Sequence, residues 1–109
     1  MRQELRRGSV VLASLVALQR PGYGYGLLDA LERAGFPVAA NTLYPLLRRL
    51  ESQGLLTSEW DTTEARPRKF YQTSEAGIRI ANHLRTEWAT IDAALTALTS
   101  EPLTNGDPS

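Results

Sequence analysis

Residues 39–54, AANTLYPLLRRLESQG, decide how the chain is read. Leu43, Leu46, Leu47 and Leu50 recur at i, i+3, i+4 and i+7, the spacing of a helix face buried against a core. Thr42, Pro45, Arg49 and Ser52 fall on one side of the remaining surface, with Tyr44 and Arg48 beside them, and no acid occurs before Glu51. Asn41 is placed to cap this helix, Pro45 is tolerated only near its start, and Gly54 is suited to end it. A helix pinned from behind by leucines and presenting arginines forward suits the major groove of DNA. Taken alone, the stretch fits an ordinary amphipathic surface helix better. The residues after Gly54 change the balance.

Gly54 leads into LLTSEW (55–60) and then, past the turn-like DTTEA, into RPRKFYQT (66–73). Both runs are rich in strand formers, and together they read as a β-hairpin. Arg66, Arg68 and Lys69 gather near its tip, Phe70 and Tyr71 anchor the returning strand, and Pro67, lacking an N–H, belongs at an edge or in the tip. A basic hairpin tip by itself is usually a solvated turn. Directly behind a leucine-backed helix it completes a winged helix-turn-helix, with the helix in the major groove and the wing over neighbouring phosphates.

Upstream, the apolar run Ser9–Leu18 predicts a buried first helix stopped by Arg20, Pro21 and Gly22. Leu27, Leu28 and Leu31 mark a second helix over Gly24–Ala34, closed by Gly35 and Pro37. The glycines of PGYGYG suggest close backbone approach or a tight turn. A phosphate-binding loop is excluded there, since no strand precedes the run and no Lys follows it. The prediction is an α+β, mainly α, winged helix-turn-helix over residues 8–73.

Beyond it, Ala81, Leu84, Trp88, Ile91, Leu95 and Leu98 alternate three- and four-residue steps. That is the seam of a helix packed lengthwise on another helix. A dimerisation helix is therefore expected over residues 74–98, with a second copy as the simplest partner. Two copies would set two recognition helices about one DNA turn (~34 Å) apart on a pseudo-palindromic operator. The Pro-, Gly- and polar-rich residues 99–109 are expected to be a disordered tail, and Met1–Arg7 are read the same way.

Bulk properties narrow the function. The 109 residues suffice for one domain with a modest core. The net charge is zero, yet residues 1–73 carry ten basic and seven acidic side chains, a net +3, and residues 74–109 carry a net −3. That asymmetry places a phosphate-facing surface on the winged-helix part. The chain has no cysteine, and its single histidine, His83, lies four residues before Glu87 within the last helix, so a nucleophile–base pair or a zinc site is not expected. We expect no enzyme, no metal, no cofactor, no membrane segment and a cytoplasmic location. The competing class is a winged-helix protein-interaction module, which would lack the steep salt dependence of phosphate binding.

Three stretches, GYGYGLLDAL, NTLYPLLRRLESQGLL and RKFYQTSEAG, together resemble the PadR family of bacterial transcriptional regulators, over about residues 8–98. The chain departs from the family pattern at Tyr23, where His is common, Gly26 (an acid), Asn41 (Gly), Thr73 (Leu) and Ser74 (Thr). None of these removes a charge from the proposed DNA face. The resemblance implies a DNA-binding regulator, a repressor rather than an activator, dimerised through the last and first helices. DNA contacts then fall to Thr42, Tyr44, Pro45, Arg48 and Arg49 on the recognition helix and Arg66, Arg68 and Lys69 on the wing. Tyr44 matches the family's recognition-helix Tyr, with its hydroxyl available to a phosphate. Tyr25 either does the same from the second helix or packs against the recognition helix. In relatives of this size the dimer interface can open a pocket for flat aromatic or phenolic effectors. Trp88 matches the family's aromatic there, with Asp92 one turn on; the other reading is that Trp88 only fills the interface.

Overall fold

All four leucines of the 39–54 stretch are buried, Leu43 and Leu47 completely. The computed structural model describes the backbone of residues 2–103 and the side chains of residues 8–103. Its elements run α1 (Arg2–Ala17), β1 (Gly22–Tyr23), α2 (Gly24–Arg33), α3 (Ala40–Ser52), β2 (Leu56–Asp61), β3 (Arg68–Thr73) and α4 (Glu75–Ser100). The leucines of α3 meet Leu15 and Leu18 from the end of α1, Leu27 and Leu31 from α2, and Leu56 and Tyr71 from the hairpin. This is the winged helix-turn-helix, with a long C-terminal helix appended.

Backbone chemistry fixes the ends of α2 and α3. Gly35 and Gly54 adopt left-handed φ values of 95° and 80°, a conformation glycine enters without a Cβ penalty. At each end two N–H groups then return to the last turn: Gly35 to Glu32 and Phe36 to Leu31, Gly54 to Glu51 and Leu55 to Leu50. This Schellman closure satisfies carbonyls that would otherwise be left over, and it seats an apolar residue, Phe36 or Leu55, against the core.

A hub of hydrogen bonds joins the ends of α1, α3 and α4. The Thr73 hydroxyl donates to the Leu15 carbonyl at 2.7 Å, and the Thr73 N–H donates to the Leu18 carbonyl at the same distance. Ser74 caps α4 by accepting from the Gly77 N–H at 3.0 Å, while its own hydroxyl donates to the Gly54 carbonyl at 2.6 Å. Gly77 is pressed against Leu55: a Cβ there would collide with the Leu55 carbonyl oxygen and stand 2.6 Å from Thr73 Cγ2. Only glycine lets α4 leave the sheet at this angle.

Several features differ from the sequence expectation. Asn41 does not cap α3: Ala39 occupies that position without a side-chain cap, and its carbonyl accepts from Thr42 and Leu43. The leucine stripe, rather than a capping side chain, sets where this helix begins. Pro45 lies in the second turn, where its missing N–H leaves the exposed Asn41 carbonyl without a helical donor. α1 begins at Arg2, so residues 2–7, expected to be disordered, continue the helix in backbone. α4 runs to Ser100, taking Thr99 and Ser100 from the expected tail, and residues 104–109 lie outside the described residues. β1 was not anticipated; it pairs with β3 through Gly22–Tyr71 and Tyr23–Phe70, giving an antiparallel sheet of order β1-β3-β2. Ala81 does not open the exposed seam of α4: it is fully buried in the core of its own domain, where α4 crosses α1.

Candidate nucleic-acid interface

With its leucines facing inward, α3 turns Thr42, Pro45, Arg48 and Arg49 to solvent. Among the described residues neither arginine takes part in an ion pair; Glu51, the acid nearest in sequence, is engaged by Lys69 and Ser58. Tyr44 is half-buried because it lies against Gly24 at the start of α2, where any Cβ would strike its ring. Gly24 thereby lets α2 and α3 approach, and this accounts for one of the glycines in the PGYGYG run. The recognition helix thus offers two free guanidinium groups on a rigid support.

The wing is built differently from the sequence reading. Arg66 is exposed at the tip. Arg68 lies 4.5 Å over the Tyr23 ring, donates to the Tyr25 hydroxyl at 2.8 Å and pairs with Glu64 at 2.5 Å. Tyr23 and Tyr25 stack with ring centroids 5.6 Å apart and planes 7° from parallel, and Phe70 meets Tyr23 edge-on. Lys69 points to the other face of β3, pairing with Glu51 of α3 at 3.1 Å and lying 5.3 Å from the Tyr71 ring. Arg68 and Lys69, expected as phosphate contacts, are therefore engaged within the domain, Arg68 through both terminal nitrogens and Lys69 through Glu51, while the buried Arg68 Nε has no partner among the described residues. Tyr25 is half exposed beside Arg68 rather than packed on the recognition helix.

Sequence reasoning passed over five residues of this arrangement: Tyr23, Asp61, Thr63, Glu51 and Ser58. The Tyr23 hydroxyl donates to Asp61, and Asp61 also accepts from the Thr63 N–H and hydroxyl at 3.0 and 2.7 Å. Glu51 accepts from the Ser58 hydroxyl as well as from Lys69. A usable signal was present: an acid closing one hairpin strand where a base opens the other, and Asp61 does stand opposite Arg68 in register. The hydrogen bond from Tyr23, followed by those from Thr63, holds the Asp61 carboxyl down at about 2. The same bond to Asp61, with burial second, raises the Tyr23 phenol above its ordinary value. Glu51 is lowered, chiefly by the Ser58 hydroxyl and further by Lys69.

Along α4 the apolar stripe is uncovered from Trp88 onward. Trp88, Ile91, Leu95 and Leu98 are 44%, 51%, 56% and 66% exposed, rising with distance from the domain, while Leu84 is half-covered. Trp88 borders two open apolar grooves. One runs along Leu12, Ala13 and Val16 of α1 to Ala30 and Phe36, and the other lies between Val11 and Ile91. Asp92 lines neither groove. No helix among the described residues is long and apolar enough to cross a membrane.

Comparison with known proteins agrees with this geometry. Residues 11–83 match the transcriptional regulator PadR-like family. The transcriptional regulator Rv3488 of Mycobacterium tuberculosis is 40% identical over 76 residues, covering 69% of this chain and 71% of that protein. A crystal structure of a PadR family transcriptional regulator from Eggerthella lenta superposes with a TM-score of 0.81 at 45% identity, covering 94% of this chain and 91% of that one. A PadR-like transcription factor from Bacteroides fragilis gives 0.77 at 28% identity, covering 89% and 96%. The chain belongs to the PadR-like family of transcriptional regulators, whose members are regulators rather than enzymes.

The Tyr23–Asp61 bond sets a pH window. Asp61, depressed in the folded chain, contributes stability that is complete above its unfolded value near 3.8 and is lost as pH falls toward about 2. Tyr23, raised, contributes stability that is complete below 10.0 and is lost as pH rises through its folded value. Tyr23→Phe should return the Asp61 carboxyl resonance toward an ordinary midpoint in an NMR titration and remove a component of tyrosinate absorbance that titrates above 10.0. An unmoved Asp61 midpoint would show that Tyr23 does not hold it.

Proposed function

We propose that this regulator acts as a homodimeric repressor on a pseudo-palindromic operator. The observation that carries this is the unpaired couple Arg48 and Arg49 on the outer face of a helix locked by four buried leucines. Thr42, Tyr44 and Pro45 flank them, and Arg66 reaches the adjoining phosphates from the wing. An arginine can bridge guanine O6 and N7 or hold a phosphate, and the exposed pair suits both. Tyr25 adds a hydroxyl toward the backbone at the start of α2. Residues 8–73 form the reading unit in this proposal, and α4 forms the dimer contact through Leu84, Trp88, Ile91, Leu95 and Leu98.

The exposed stripe supports dimerisation. α4 has 26 residues, ~39 Å at 1.5 Å per residue, and the apolar stripe of its outer half stays exposed. Apolar side chains repeated on one side of a helix are the contacts that a second copy buries. The grooves beside Trp88 open onto the same face, so a partner would roof them. The enclosed space suits a flat aromatic or phenolic effector stacked on Trp88. Such an effector regulates only through unequal affinity for two spacings of the recognition helices.

Arg48→Ala and Arg49→Ala should each weaken operator binding by ~1–3 kcal/mol where the side chain meets a base, measured by fluorescence anisotropy. A folded double variant with wild-type affinity would remove α3 from the interface. In sedimentation velocity the wild type should run at twice the chain mass, and Ile91→Glu, which would bury an unpaired carboxylate in the seam, should run as the monomer. A wild type that stays monomeric at all concentrations would refute the dimer. With Trp60→Phe removing background, phenolic acids and planar aromatic cations should quench Trp88; silence across such a panel would leave Trp88 as packing only.

A further inference from the structure

We propose that Arg68 and Lys69 are positioning residues, which brace the wing against α2 and α3 from opposite sides and leave the DNA phosphates to Arg66. This rests on the DNA-binding reading above. Neighbouring residues on a strand point to opposite faces, so the Arg68–Lys69 step sends one cation each way from β3. Arg68 goes toward β1 and the start of α2, where the Tyr23 ring lies 4.5 Å beneath it and the Tyr25 hydroxyl accepts from it at 2.8 Å, while Glu64 of the hairpin turn pairs with it at 2.5 Å. Lys69 goes toward α3, where Glu51 takes its ammonium at 3.1 Å. Glu51 simultaneously accepts from Ser58 of β2, so a single carboxylate on the recognition helix holds both strands of the hairpin.

Charge points the same way. Residues 55–73 carry three cations, Arg66, Arg68 and Lys69, and three acids, Glu59, Asp61 and Glu64. The wing has no excess positive charge with which to hold DNA. For Arg68 to reach a phosphate it would have to leave two aromatic faces and an ion pair, and Lys69 would have to strip Glu51 of its partner. Arg66 has no such ties among the described residues.

The brace also orients Tyr25. Its oxygen is occupied as an acceptor by Arg68, so its O–H is left to donate outward from a side chain that is half exposed. Arg68 thereby acts on DNA through Tyr25. Asp61 completes the lock from the hairpin, taking the Tyr23 hydroxyl directly opposite Arg68 in register.

Counterion release separates a brace from a direct phosphate ligand. The probes are a duplex selected from random-sequence DNA by the wild-type protein and an unselected duplex of the same length. Each is titrated by anisotropy across a salt series, with thermal unfolding of every variant. Arg66→Gln should flatten the slope of log K against log salt by about 0.9 for each phosphate deprived of its cation. Arg68→Gln and Lys69→Gln should leave that slope unchanged. They should instead lower the preference for the selected duplex by about tenfold, the scale of one hydrogen bond to a charged group. Glu51→Gln, which removes no cation, should reproduce Lys69→Gln, and the two together should be no worse than either alone. A slope flattened by Arg68→Gln or Lys69→Gln as much as by Arg66→Gln would overturn the proposal. If Arg68→Gln does not fold, Tyr23→Phe and Glu64→Gln keep every cation and should still lower the preference at constant slope; full preference in both would overturn it equally. A wild type that selects no duplex and shows no salt-dependent binding would take down the DNA-binding reading itself, an outcome distinct from either of these.

Discussion

The burial of Leu43, Leu46, Leu47 and Leu50 is the constraint on which the functional surface depends. Each buried leucine is worth roughly 1.5–3 kcal/mol, and a domain of this kind has only about 5–15 kcal/mol of net stability, so the stripe leaves α3 no freedom to rotate. Once those positions face inward, helical geometry alone turns Arg48 and Arg49 outward. No capping side chain or ion pair is needed to aim them, and α3 begins at Ala40 without a side-chain cap. Pro45 costs this helix one backbone hydrogen bond, while its four leucines stay buried.

Around α3 the chain solves a second problem, joining three element ends with little apolar surface to spare. Thr73 and Ser74 do this with hydroxyls directed at the Leu15 and Gly54 carbonyls and at the Gly77 N–H. A buried threonine hydroxyl would be costly unpaired, and here it has its acceptor at 2.7 Å. The hub aligns α4 on α1, and α4 then carries its apolar stripe out of the domain. The same helix is core at Ala81 and bare at Leu98, which is 66% exposed. That gradient is what a helix shared between two bodies would present.

The wing is a hairpin whose charges are mostly consumed in holding it. On the wing, Arg68 and Lys69 at the start of β3 are engaged by neighbouring side chains, while Arg66 at the tip makes no ion pair among the described residues. Pairing with Lys69 neutralises Glu51, the one carboxylate on α3.

Whatever depends on a local period was legible in the sequence. The leucine spacing of α3, the alternating hairpin strands, Gly35 and Gly54 as terminators, the Ser74 cap and the three-four rhythm of α4 each follow from the geometry of one element. Tertiary structure alone decided the rest. Tyr23 meets Asp61 across 38 residues and Arg68 meets Tyr25 across 43, and no periodicity links positions so far apart. β1 is two residues long, too short to carry a pattern, and exists because β3 offers it an edge. Ala81 continues the heptad rhythm without a break, yet it lies where α4 still crosses α1, so its burial is internal. A repeat specifies which face of a helix is apolar; which body covers that face depends on where the chain has placed the helix.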